Sequence, residues 1–150
     1  LCPASHSPHI SAGIQPHWLS IEFRYWLSDQ PIKECVSVAG NHDWIWEVAK
    51  DQVPSLNANF HYIEDELIEI LGKKIYGTPV QPTFNNWAFN KEEESIQKYW
   101  DNIPKNLDIL LLHGPPYGIL DETHHPKYIS ERIGSKSLLK KIKLRLLDLA

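Results

Sequence analysis

Four consecutive residues, Gly40-Asn41-His42-Asp43, carry side chains that can do chemistry together. They directly follow Cys35–Ala39 (Cys-Val-Ser-Val-Ala), a β-rich run that reads as a strand. The loop at the carboxyl end of such a strand is where α/β sheets place ligands. A glycine there lets the backbone turn sharply and approach a ligand closely. The Asn41 side-chain carbonyl is a hard oxygen ligand for a metal ion. His42 can donate a proton near neutral pH, and Asp43 can hold the imidazole in one tautomer. The same four residues also fit a plain turn in which Asn41 caps a helix starting near Trp44 and His42 is merely exposed.

A second feature sharpens the first. His113 comes immediately after Asp108–Leu112 (Asp-Ile-Leu-Leu-Leu), a continuous apolar run of the kind buried on both faces of a sheet. A neutral imidazole at a strand end is a good metal ligand, and Gly114-Pro115-Pro116-Tyr117-Gly118 then forms a stiff, narrow loop. Gly114 and Pro115 are therefore candidates for a substrate-facing loop. If the two strands are parallel neighbours, Asn41, His42 and His113 converge on one rim.

The elements that must position these residues alternate between strand and helix, the pattern of an α/β fold. Phe23, Trp26 and Leu27 form an apolar stripe at helical spacing that Pro31 ends. A helix is predicted over Trp44–Lys50 and a strand over Phe60–Ile63. Glu66–Ile70 and Lys74–Tyr76 flank Leu71-Gly72-Lys73 as a β-hairpin. Another helix is predicted near Glu92–Asp101. A last one, Lys136–Leu149, has Leu138, Leu139, Ile142, Leu146 and Leu149 on one side. Residues 1–20 carry no charged side chain and mix Pro3, Pro8 and Pro16 with His6, His9 and His17; they read as an irregular tail preceding a domain over 21–150.

Composition bounds the function. The 150 residues are 42% hydrophobic and 23% charged, which excludes a disordered or fibrous chain. Lys and Arg number 15 against 19 acids, for a net charge of −4, so no nucleic-acid partner is expected. No apolar run approaches the roughly 20 residues of a membrane helix, and no membrane partner is expected either. Two cysteines, Cys2 and Cys35, make no disulfide framework, which favours a reducing, cytoplasmic setting. The sequence has no methionine, and it reads as a fragment or the product of a misplaced coding boundary.

The motifs resemble a known family. Val38-Ala39-Gly40-Asn41-His42-Asp43 and Leu111-Leu112-His113-Gly114-Pro115-Pro116 are similar to two signature blocks of the calcineurin-like metallophosphoesterases. Ile75–Pro79, Phe84–Asn90 and Asp108–Leu110 narrow the likeness to the subgroup called metallophosphoesterase-domain-containing proteins, from about Ile21 to Ile142. The resemblance implies a four-layer αββα sandwich, here partial, with its first and last strands missing. It implies that Asn41 and His113 bind the second of two divalent metals (Mn, Fe, Zn or Ni). It implies that His42 protonates the leaving oxygen and that Asp43 orients His42. Two cations about 3.5–4 Å apart can neutralise phosphate charge and generate a hydroxide for in-line attack.

The family pattern also contains an Asp-x-His pair, a Gly-Asp block supplying the bridging carboxylate, and a closing Gly-His-x-His block, none of which occurs here. Ser5-His6-Ser7 and Pro8-His9 are no substitutes, because histidine seldom bridges two hard cations. The expectation is therefore a phosphomonoesterase or (cyclic nucleotide) phosphodiesterase domain with impaired turnover, holding one metal or none, and acting on a small phosphorylated substrate such as a nucleotide. The alternative is a non-catalytic nucleotide- or phosphate-binding remnant in which Trp44, Trp46, Trp87 and Tyr117 offer surfaces for a base. A chain too incomplete to fold is a third expectation. Oligomeric state is not readable from the motifs.

Overall fold

The computed structural model describes residues 16–123 and 131–147, with side chains through residue 144. Residues 16–18 are helical and lead through a π-helical turn, Leu19–Phe23, into α1 (Arg24–Ser28). An irregular tail was expected as far as residue 20. Residues 16–20 are instead helical because Leu19, 6% exposed, packs with Ile45 and Ala49. That tertiary contact overrides a weak local pattern. The remainder of the expected tail lies outside the described residues, as do the expected helical positions Leu146 and Leu149 on the side-chain level.

The strands fall into three small sheets. β1 (Cys35–Ser37) pairs in parallel with β2 (Phe60–Tyr62), with Cys35 opposite Phe60. Between them lie α2 (Trp44–Val48) and a 3₁₀ turn, Lys50–Gln52. β3 (Glu66–Ile70), β4 (Lys73–Thr78) and β7 (Ile109–Leu112) form a mixed sheet in that order. β5 (Gln81–Pro82) and β6 (Asn90–Lys91) make a short parallel pair. The hairpin register sets Ile70 opposite Lys73, so its loop is the two residues Leu71-Gly72 rather than three. Both have positive φ, 52° and 70°, which is the backbone that matches the twist of a two-residue hairpin.

α3 (Glu93–Asp101) and α4 (Lys136–Leu147) cover the three-stranded sheet. Ile96 and Trp100, four residues apart on α3, are fully buried with Tyr76, Val80, Ile103 and Leu138. The Trp100 indole N–H also needs an acceptor inside that cluster. It finds the Ser135 and Ser137 hydroxyls, at 3.2 and 3.1 Å.

One expectation about the strands is corrected here, and one condition set on them is not met. β7 pairs with β4 alone among the described residues, and Ile109 is 45% exposed, so this run is a sheet edge rather than a doubly covered strand. β1 and β7 are not neighbours, since they belong to different sheets. What brings their ends together is packing between the sheets at Gly77 of β4. A Cβ there would collide with the Ile63 side chain and lie 2.7 Å from Val38 Cγ1. Only a glycine lets β4 approach the β1–β2 layer so closely. The architecture is mixed α/β, built from small sheets and helices.

Candidate functional site

The Gly40–Asp43 turn is closed on itself. Asp43 Oδ2 accepts the Gly40 N–H at 2.7 Å, and the Asp43 N–H donates to the Gly40 carbonyl at 3.0 Å. α2 begins at the next residue, and its Trp44 and Ile45 side chains are buried, so the turn is anchored from its carboxyl side. From the other direction, the Ala88 N–H donates to the Asn41 backbone carbonyl at 3.0 Å. The Phe89 N–H donates to Glu47 Oε2 of α2 at 2.9 Å. The segment between β5 and β6 is thereby fastened alongside the turn.

His113 arrives from the other sheet. Its backbone N–H donates to the Thr78 carbonyl at 3.3 Å, which continues the β4–β7 pairing one residue past the strand. Its ring then meets the turn: the Asn41 N–H donates to His113 Nε2 at 3.0 Å. A Cβ on Gly40 would lie 2.9 Å from His113 Cε1 and 3.2 Å from Nδ1, so the glycine makes room for the imidazole. Residues 41 and 113 thus meet through the Asn41 backbone N–H, across two sheets and not along one.

Burial pushes the His113 pKa below the ordinary imidazole value, opposed by the negative charge of Asp43 and aided by the neighbouring His42. The ring is therefore neutral near pH 7. Because Nε2 accepts a hydrogen bond, its proton sits on Nδ1.

The His42 ring lies 5.4 Å from the ring of Trp87, inclined by 56°. Gly114 packs against β5, where a Cβ would come within 2.9 Å of Gln81 Cβ and 3.0 Å of the Val80 carbonyl. The Pro115 carbonyl accepts the Ser135 N–H at 3.0 Å, and the Tyr117 N–H donates to the Ser135 carbonyl at 3.0 Å. The Gly114–Tyr117 loop is thus held by α4's leading segment. Behind it stands Asp121, whose carboxylate is fully buried. It accepts N–H groups from Gly118 at 2.8 Å and Gly134 at 3.3 Å, and Arg132 Nη1 lies at 2.8 Å. Burial opposes this charge, but the two N–H groups and the guanidinium outweigh it and hold the carboxyl below its usual range. No local motif in the sequence marked Asp121, because its partners are 3 to 13 residues distant.

The four aromatics offered as base-stacking surfaces separate cleanly. Trp44 is core, packed with Ala39, Ala88 and Phe89. Trp46 stacks on Tyr62 with centroids 3.7 Å apart. Tyr117 has Arg132 and Lys136 near its ring, at 5.9 and 5.3 Å. Trp87 has its ring beside that of His42.

The donor set can be tested against a metal. His113 is a neutral imidazole beside the Asn41 turn, which suits one borderline divalent cation, and a cation at Nε2 would replace the Asn41 N–H as its partner. Among the described residues, no group of three or more His, Cys, Asp or Glu side chains could hold an ion. Among the same residues, no helix is long and apolar enough to cross a membrane.

The chain is a mixed α/β domain in which Asn41 and His113 lie on loops that follow β1 and β7. No protein-family model matches the chain. Curated proteins do. The human and mouse proteins named metallophosphoesterase domain-containing protein 1 are each 32% identical over 148 residues, covering 83% of this chain. A UPF0046 protein of Caenorhabditis elegans is 41% identical over 85 residues, or 56% of this chain and 20% of that protein. The chain belongs with the metallophosphoesterase-domain proteins. It spans about 44% of the length of its human and mouse relatives.

Proposed function

We propose that this chain carries the leaving-group side of a metal-dependent phosphoesterase site. The observation that supports the reading most is the 3.0 Å contact between the Asn41 N–H and His113 Nε2. It joins two loops that are 72 residues apart in sequence, and each brings a residue type that phosphoester hydrolysis uses. Asn41 and His113 offer an amide oxygen and an imidazole to one divalent cation, which would offset phosphate charge when bound. His42 lies on the adjoining residue and serves as the acid that gives its proton to the leaving oxygen. Asp43 holds the turn closed through the Gly40 N–H and contributes the local negative charge. Gly114 and Pro115 form the loop that faces the ester. The four-layer sandwich of the complete fold belongs to this proposal as well.

The test is hydrolysis of bis(p-nitrophenyl) phosphate by the 150-residue chain, with manganese and with chelator, beside the His42→Ala variant. Slow, manganese-dependent turnover that the substitution lowers at least tenfold is expected. Turnover that is indifferent to both metal and substitution contradicts the reading. The alternative reading is a phosphate or nucleotide binder without turnover. Calorimetry with nucleoside monophosphates in chelator identifies that case by binding that persists without metal.

A further inference from the structure

The 84–90 segment does more than fill the space between β5 and β6. Asn90 ties down the start of its backbone: Asn90 Nδ2 donates to the carbonyls of Phe84 (3.3 Å) and Asn85 (3.0 Å). Asn90 Oδ1 in turn accepts from the side chain of Gln81 at 3.0 Å. Asn85 and Phe89 both adopt positive φ, 53° and 59°, so the chain makes two tight reversals within this segment. The result presents Phe84, 37% exposed, to solvent.

Phe84 and Trp87 have ring centroids 5.1 Å apart, inclined by 60°, and Trp87 is in turn 5.4 Å from His42. An aromatic track therefore starts at the candidate acid and ends at an exposed ring. Burying Phe84 against a neighbour would have aided folding, yet the hydrogen bonds of Asn90 hold it outward. The acid that protonates a leaving oxygen must lie on the side of phosphorus from which the leaving group departs. A leaving group whose oxygen takes its proton from His42 comes close to Trp87, whose ring lies beside that imidazole.

We infer that Trp87 and Phe84 receive a planar aromatic ring carried by the leaving group of the phosphoester, and that they set which esters the site accepts. The inference rests on the hydrolase reading above, and it assigns Trp87 and Phe84 as specificity-determining residues and Asn90 as the residue that positions them. A nucleobase and a simple aryl group share the chemistry such a surface recognises. Stacking on an aromatic side chain is sequence-tolerant and worth about tenfold or more in affinity per ring.

The experiment is calorimetric titration of the chain, with manganese present, using adenosine 5′-monophosphate, phenyl phosphate, ribose 5-phosphate and adenosine. One or both of the ring-bearing phosphates should bind about tenfold more tightly than ribose 5-phosphate; preference for one alone names the ring as nucleobase or aryl. Phe84→Ala and Trp87→Leu should each lower the affinity of the preferred ring-bearing phosphate, bringing it toward that of ribose 5-phosphate. Phe84 is exposed, so its substitution keeps the test valid if Trp87→Leu perturbs folding. Equal affinity for ribose 5-phosphate and both ring-bearing phosphates, or a preference that survives both substitutions, overturns the assignment and leaves the hydrolase reading intact. Adenosine binding as tightly as its monophosphate, with the loss on Phe84→Ala retained, overturns the hydrolase reading and keeps the ring surface. No binding of any probe overturns both.

Discussion

Replacing Gly40 with alanine tests the meeting of the two loops at the atomic scale. Gly40 does not have positive φ, so alanine brings no backbone strain of its own, and the whole effect comes from the added Cβ. That atom would stand 2.9 Å from His113 Cε1, closer than carbon atoms tolerate, while its distance to Asp43 Oδ2, 3.4 Å, is ordinary contact. The imidazole must swing away, which breaks the Asn41 N–H···Nε2 bond and costs about 0.5–1.5 kcal/mol. With repacking of a half-buried ring, the loss for Gly40→Ala comes to about 1–2 kcal/mol. In a domain of this size that lowers Tm by about 2–8 °C. The decisive form is a double-mutant cycle followed by urea unfolding: the parent, Gly40→Ala, His113→Ala and the pair. Once the imidazole is gone the new methyl keeps the ordinary contact with Asp43 Oδ2 and loses the close one, so Gly40→Ala should cost less than about 0.5 kcal/mol in the His113→Ala background. Additive losses would refute the contact and with it the geometry from which the site is built.

Two further outcomes follow from groups away from the rim. Asp121 has its folded-state pKa held below the ordinary carboxylate value, so the unfolded chain takes up the proton first as pH falls. Its stabilising contribution is complete above about pH 4 and is lost as pH drops toward the folded value. Urea midpoints of the parent and Asp121→Asn should thus differ most near neutral pH and converge in acid, whereas a constant offset between pH 3 and 7 would exclude the ionic account. Tyr76 is 2% exposed, burial raises its pKa to about 12, and its hydroxyl has no hydrogen-bond partner among the described residues. Tyr76→Phe should therefore stabilise the chain by about 1 kcal/mol in the same assay, and destabilisation would show that the hydroxyl is paired.

Much of the site was legible because strand ends and turns leave local marks. The β-rich run before Gly40 holds β1, which ends at Ser37 and so stops short of the expected Ala39, and the apolar run before His113 ends where β7 ends. The partnership of those strands was not legible. Gly77 sits inside an ordinary strand pattern, and nothing local says that its missing Cβ is what lets the two sheets close on each other. Apolar content likewise suggested that Asp108–Leu112 was covered on both faces, whereas coverage depends on neighbours that no periodicity encodes. The aromatics illustrate the same limit. Trp44, Trp46 and Trp87 look alike in sequence, and only their packing separates a core side chain, a stacked pair and a ring beside His42. Asp121 escaped notice because a buried carboxylate is recognised by its partners, and Arg132 and Gly134 come more than ten residues later.

The central claim is that residues 41 and 113 serve one cation at a shared rim. Calorimetric titration of manganese into the chain measures it directly, with Asn41→Ala, His113→Ala and the double substitution alongside. Each single change should weaken manganese binding about tenfold or more, and the double should add little to the weaker single, because both remove donors from the same ion. Manganese affinity unchanged within about twofold by both single substitutions would contradict the account.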